Sequence, residues 1–261
     1  MTPALWAAKT GLDAQQTRMT VTSNNLANVS TSGYKKSRGV FEDLLYQNLR
    51  QVGAATSQDT QAPSGLSLGT GVRIVATEKM FTQGSMNQTG NAMDLAVQGR
   101  GFFQILLPDG TIGYTRDGSF QVNAQGQMVT ASGYVLQPGL TIPQGAQSVT
   151  VGSDGTLSVL IAGQANPQQV GTVQLTDFIN PAGLQARGEN LLLESAASGA
   201  AQTGTPGLSG LGSLVQGALE ASNVNVVEEL VSMIETQRAY EMNSKAIQTS
   251  DKMLEYISNT L

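Results

Sequence analysis

The chain has neither cysteine nor histidine among its 261 residues. These two absences together remove disulfides, thiolate nucleophiles, Cys/His metal centres and imidazole acid–base chemistry, so any catalysis would rest on carboxylates, lysine or an activated hydroxyl. Charge is scarce as well: Asp, Glu, Lys and Arg make up 13% of residues, roughly half of the ~25% usual in globular domains. Thirty glycines and many Gln, Ser, Thr and Asn residues take their place, a composition suited to turns and neutral polar contacts. The net charge of −5 and pI near 4.7 argue against a nucleic-acid binder, and the densest basic cluster, Lys35, Lys36 and Arg38, is short. No run approaches the ~18 apolar residues of a membrane span. The N-terminus also lacks the basic, apolar, small-residue order of a cleaved signal peptide. By these signals alone the chain is soluble and cytosolic.

What is present is organised at the two ends. Thr2 and Pro3 read as a helix N-cap and first helical residue. Leu5, Leu12, Met19 and Leu26 then recur every seven residues, each followed three positions later by Ala8, Gln15, Thr22 and Val29. This predicts a helix from about residue 3 to 29, ended by "STSG". The C-terminus repeats the period with Val226, Met233, Tyr240, Ile247, Leu254 and Leu261, behind an Asn225 N-cap. A helix over about 225–259 would be roughly 50 Å long. Residues 1–50 carry six basic and three acidic side chains, net +3, whereas 217–261 carry three basic and seven acidic, net −4. Two seams of complementary charge predict mutual coiled-coil packing, with packing onto a shared globular core as the rival arrangement.

Between the ends the pattern changes to short β-formers punctuated by turns: Asp109-Gly110, Asp117-Gly118, Gln125-Gly126, Ser132-Gly133 and Asp154-Gly155. The segment "GTVQLTDFI", 171–179, reads as one further strand. The predicted fold class is α+β: long terminal helices forming a coiled-coil layer, and a central antiparallel β-rich domain, a curled sheet or barrel. The predicted domains are an N-terminal helix at 1–30, a connector at 31–71, a β-rich domain at 72–215 and a C-terminal helix at 216–261. Inside the connector, residues 46–65 are polar and Gln-rich, closed by Pro63 and Gly65. They read as an extended loop, disordered or committed to another molecule.

Candidate chemistry is thin. The pairs Gly69/Gly71 and Gly99/Gly101 suggest a phosphate loop, but neither continues into a third helix-opening glycine or a Gly-Lys-Ser/Thr ending, which leaves tight strand packing. Asp109, Asp117 and Asp154 each precede a turn glycine and lack the spacing of a calcium loop. Phe102, Phe103, Phe120 and Phe178 read as core rather than as a sugar platform. No catalytic, cofactor or metal residue is assigned.

The segment "LWAAKTGLDAQQTRMTVTSNNLANVSTSGYKKSRGVFEDLL" resembles the N-terminus of the bacterial flagellar rod and hook proteins, whose hallmark is the Asn-Asn-Leu-Ala-Asn core. "DLAVQGRGFFQI", "YTRDGSFQV", "GENLLLES" and "ASNVNVVEELVSMIETQRAYEMNSKAIQTSDKML" resemble the same family in the same order, across nearly the whole chain. Length, "FEDLLYQ" and the Gln-rich insertion are most similar to the distal-rod branch. The resemblance implies a non-enzymatic structural subunit that self-assembles into a rigid hollow helical tube, transmits torque from motor to hook and lines the export channel. It further implies contacts with proximal rod proteins, the hook protein, the surrounding P and L rings and the flagellar export apparatus, no nucleic acid, no membrane insertion and no cofactor. The implied location is the basal-body rod across the periplasm, reached by type III export without a cleaved signal peptide. Expected assembly-interface residues are Leu5, Leu12, Met19, Asn24, Asn25, Leu26, Asn28, Val226, Met233, Gln237, Arg238, Tyr240, Asn243, Ile247 and Leu254. Gln47, Gln51, Gln58 and Gln61 are expected to stiffen the rod. The competing reading is a β-rich extracellular adhesion module oligomerised by its terminal helices, with a carboxylate hydrolase as a third.

Overall fold

A computed structural model describes residues 3–53, 63–163 and 166–260. Thr2, Gln58, Gln61 and Leu261 therefore lie outside the described residues. The architecture is α+β, with helices α1 (Pro3–Ala27) and α2 (Val226–Thr260) at the ends and a β-rich centre. The chain divides into two units, one of residues 1–27, 37–78 and 225–261, the other of 28–36 and 79–224.

In the first unit α1 and α2 pack against each other. Asn225 caps α2 as its residue type requires: its Oδ1 accepts from Val227 N at 3.1 Å. Strand Ser37–Asp43 pairs with Val72–Lys79, so the strand beginning at 72 pairs outside the large central sheet. Gly71, at φ +115°, lets this strand approach α1, because a Cβ there would overlap the Thr10 hydroxyl. Val72 N then donates to Thr10 Oγ1 at 3.3 Å. The Gln-rich stretch is not wholly a loop. Gln47–Arg50 and Leu66–Leu68 pair antiparallel as an arm, whose alternating Gln47/Leu49 and Leu66/Leu68 side chains are all solvent-exposed.

The second unit holds the main core. Its sheet runs Gln185–Gly188, Leu191–Leu193, Ile112–Thr115, Phe102–Leu106, Val135–Gln137, Met128–Val129, Gln121–Val122, antiparallel throughout. It branches at Phe102–Leu106, where Leu175–Asp177 also pairs and in turn carries Gln202–Gly204. Strand alternation sends Phe103 and Ile105 into a cluster with Leu95, Val97, Phe120 and Leu136, and Phe102 into a second with Tyr114, Phe178 and Leu192. The four phenylalanines expected in the core are each no more than 2% exposed. Asp109-Gly110 and Asp154-Gly155 stand at hairpin bends, whereas Asp117-Gly118 does not turn a hairpin and instead bridges at Ser119 to Asp94. The expected single strand at 171–179 is two, Gln168–Thr172 and Leu175–Asp177, in different sheets. Gly99 is packed as close strand approach demands, a Cβ there lying 3.0 Å from Gly212 Cα.

Candidate assembly interface

The helix faces are sorted in an unusual way. The side chains α2 buries or half-buries are Glu229, Ser232, Met233, Thr236, Ala239, Asn243, Ser244, Ile247 and Ser250, small or polar except for Met233 and Ile247. They meet both small and polar positions of α1. Asn243 lies over Gly11, where a Cβ would come within 3.1 Å of its Nδ2; Arg18 Nη2 donates to Ser232 Oγ at 3.2 Å. Ala14 and Thr22 are buried on α1 as well. Small residues let two helix backbones approach, and short polar side chains pair there at low entropic cost.

Many of the large apolar residues of α2 are left exposed. Along the expected heptad, Val226, Tyr240 and Leu254 are 40%, 41% and 44% exposed, while Met233 and Ile247 are half-buried. Val227, Leu230, Val231, Ile234, Met242, Met253 and Tyr256 add to this exposed surface. On α1 the expected seam of Leu5, Leu12, Met19 and Leu26 is half-buried throughout, and Trp6 is exposed. So much apolar surface along one helix exceeds the scatter of single exposed hydrophobics normal for a monomer.

The three asparagines of the Asn-Asn-Leu-Ala-Asn core have three different settings. Asn25 is 2% exposed and acts inside the chain: its Nδ2 donates to Ser37 O at 2.8 Å and its Oδ1 accepts from Ser37 N at 2.9 Å, mimicking a strand partner. The same Nδ2 reaches Glu229 Oε2 on α2 at 3.4 Å. Asn24 is exposed, and Asn28, half-buried, stands in the turn after α1, where Oδ1 accepts from Thr31 Oγ1 at 3.3 Å. Gln237 and Arg238 are exposed on α2, as are Gln47 and Gln51 on and beside the arm. Replacing Asn25 with Ala strands both backbone groups of Ser37, an expected loss of about 1–3 kcal/mol. Hydrogen exchange at Ser37 should accelerate by about 10-fold or more.

Sequence reasoning looked for large apolar residues in the helix–helix contact and so missed Gly11, Ala14, Ser232, Thr236 and Glu229. Their signal was available as small residues at alternating four- and three-residue steps, Ala7, Gly11 and Ala14, opposite Ser232, Thr236, Ala239 and Asn243. Among the described residues there is no cluster of acidic side chains able to hold a metal, and no helix long and apolar enough to cross a membrane.

Comparison with known families agrees along the chain. Residues 5–35 match the flagella basal body rod protein model, 96–159 the flagellar hook protein FlgE/F/G D1 domain, and 215–260 the flagellar basal body rod FlgEFG protein C-terminal region. The chain is 57% identical over 258 residues to the flagellar basal-body rod protein FlgG of Buchnera aphidicola subsp. Schizaphis graminum, with 99% of both chains covered. It is 47% identical to that of Borreliella burgdorferi, covering 99% of this chain and 98% of the relative, and 37% identical to that of Bacillus subtilis, covering 99% of both. These likenesses are to structural components, which sets aside the adhesion and hydrolase readings. A chain matched from end to end in this way, with a long terminal helix that leaves many large apolar side chains exposed, belongs to the flagellar basal-body rod protein family and is a structural rod subunit, not an enzyme.

Proposed function

We propose that the chain polymerises into the distal rod as a rigid hollow tube, in which α1 and α2 join those of neighbouring copies in a coiled-coil layer. The observation that carries this is the exposed apolar surface of α2, Val226, Leu230, Val231, Ile234, Tyr240 and Leu254, whose extent in one chain calls for partners. Copies of the same helix are suitable partners, since each brings the same exposed apolar surface. Leu5, Leu12, Met19 and Leu26 of α1, half-buried already, complete the seam. Asn24, Gln237 and Arg238 supply exposed polar contacts between copies. The tube carries torque across the periplasm, lines the export channel, and meets the proximal rod and hook proteins at its ends and the P and L rings at its surface. Electron microscopy of concentrated protein is the test: hollow tubes of constant diameter are expected, and a monomer at every concentration would sink the reading.

The arm of Gln47–Arg50 and Leu66–Leu68 is proposed to stiffen that tube. It exposes Leu45, Tyr46, Leu49, Val52, Leu66 and Leu68 together with Gln47 and Gln51, an amphipathic tongue suited to lie on a neighbouring copy. Deleting residues 48–64 is expected to leave assembly intact and yield curved polymers; filaments as straight as the parent's would contradict the stiffening role alone.

A further inference from the structure

The second unit contains a buried charge cluster that joins segments far apart in sequence. Lys35 Nζ donates to Glu220 Oε1 at 2.6 Å and to Thr82 O at 2.8 Å. Arg116 Nη1 reaches Glu220 Oε2 at 3.3 Å and Nη2 donates to Gly99 O at 2.6 Å, while Gly84 N donates to Glu220 Oε1 at 2.9 Å. The side chains of Lys35, Glu220 and Arg116 are 3%, 0% and 6% exposed. Around them the same segments are laced by backbone and amide bonds: Gly33 N to Glu220 O, Lys36 N to Asn223 Oδ1, and Met80 N to Lys36 O.

Two cations share the carboxylate of Glu220, and Arg116 also feels the charge of Asp177. Arg116 Nε is buried with no hydrogen-bond partner, so the cluster is oversupplied with donors even before Lys35 is counted. Burial pulls the Lys35 ammonium below its ordinary value despite Glu220, and Arg116 adds repulsion. As a contribution to stability Lys35 is surplus, since a methionine would fill the same space without the desolvation cost. We propose that Lys35 is a latch: residues 28–36 can dock into the β unit only once the carboxylate of residue 220 is in place. In a chain that emerges N-terminus first, the unit stays unsealed until its last strand, Ala218–Glu220, arrives 185 residues after Lys35.

The test is sign epistasis in the full-length chain, read by amide exchange at Gly33 and Met80. Glu220→Gln leaves buried Lys35 without a counter-charge and Arg116 with only Asp177, and should cut protection by about 100-fold or more. Lys35→Met alone should stay within about 10-fold of the parent. The double variant K35M/E220Q, relieved of one cation, should regain at least about 10-fold over E220Q. A double variant as unprotected as E220Q, or more so, would overturn the latch, as would K35M matching the damage of E220Q. If E220Q is insoluble, recovery of soluble K35M/E220Q is the expected result and equal insolubility the contrary one.

Discussion

Leu254→Asp will stop polymerisation while leaving the β unit folded. In a single chain Leu254 is 44% exposed, so a carboxylate there keeps its water and the substitution costs the monomer little, shifting Tm by no more than about 2 °C. In the proposed coiled-coil layer the same carboxylate would be buried against apolar side chains of a second copy without a counter-charge, costing about 3–5 kcal/mol per contact. The critical concentration for assembly, measured by sedimentation, should rise by about 100-fold or more. An unchanged critical concentration would remove Leu254 from the interface. A joint collapse of near-UV circular dichroism and assembly would show that Leu254 supports folding instead.

Gly118→Ala is expected to have the largest effect on folding. Gly118 lies under strand Leu95–Gln98: its carbonyl accepts from Leu95 N at 3.0 Å, and a Cβ would overlap the Leu95 carbonyl and come within 3.3 Å of Phe103 Cε2. Neither neighbour can yield cheaply, since Leu95 and Phe103 are both fully buried in the main cluster and one obstructing atom is backbone. A loss of about 4 kcal/mol or more follows, a fall in Tm of about 8–16 °C for a unit of this size. Gly139→Ala is the control, because nothing lies within 4 Å of its Cβ position. It should change stability by less than about 1 kcal/mol. Equal stability of the two variants would mean that the close approach at Leu95 relaxes freely.

Features governed by local chemistry were legible in the sequence. Asn225 caps α2 because its side chain bonds two residues ahead, and Asp154-Gly155 bends a hairpin because Asp154 Oδ1 accepts from Thr156 N at 3.1 Å, contacts that need no distant partner. Thr156 accordingly holds the Asp154 carboxyl below its ordinary value. Features governed by distant partners were not legible. Asp117-Gly118 has the same dipeptide as a hairpin bend, but Leu95 claims Gly118 for packing. Heptad spacing located the helices and a half-buried stripe on α1, Leu5, Leu12, Met19 and Leu26, but since periodicity marks large apolar residues it gave no sign of the small positions Gly11 and Ala14 that also lie in the contact within the chain. The basic trio Lys35, Lys36 and Arg38 reads in sequence as one short cluster. Lys35 is instead buried on Glu220, and Arg38 pairs with Glu78 at the surface. A charge pair separated by 185 residues leaves no mark in a local window.

The bond from Met80 N to Lys36 O, at 2.8 Å, closes residues 37–78 into a loop whose two ends are clasped together, with Asn223 bonded to both sides of the clasp. For the β unit, this makes the intervening stretch an interchangeable cassette. Material between Lys36 and Lys79 can be lengthened, shortened or swapped at an entropic cost that grows only with the logarithm of its length, provided the clasp survives. Under the stiffening role proposed for the arm, the mechanical character of the polymer can thus be rewritten at this site by evolution or by an engineer, without redesigning the core of the β unit.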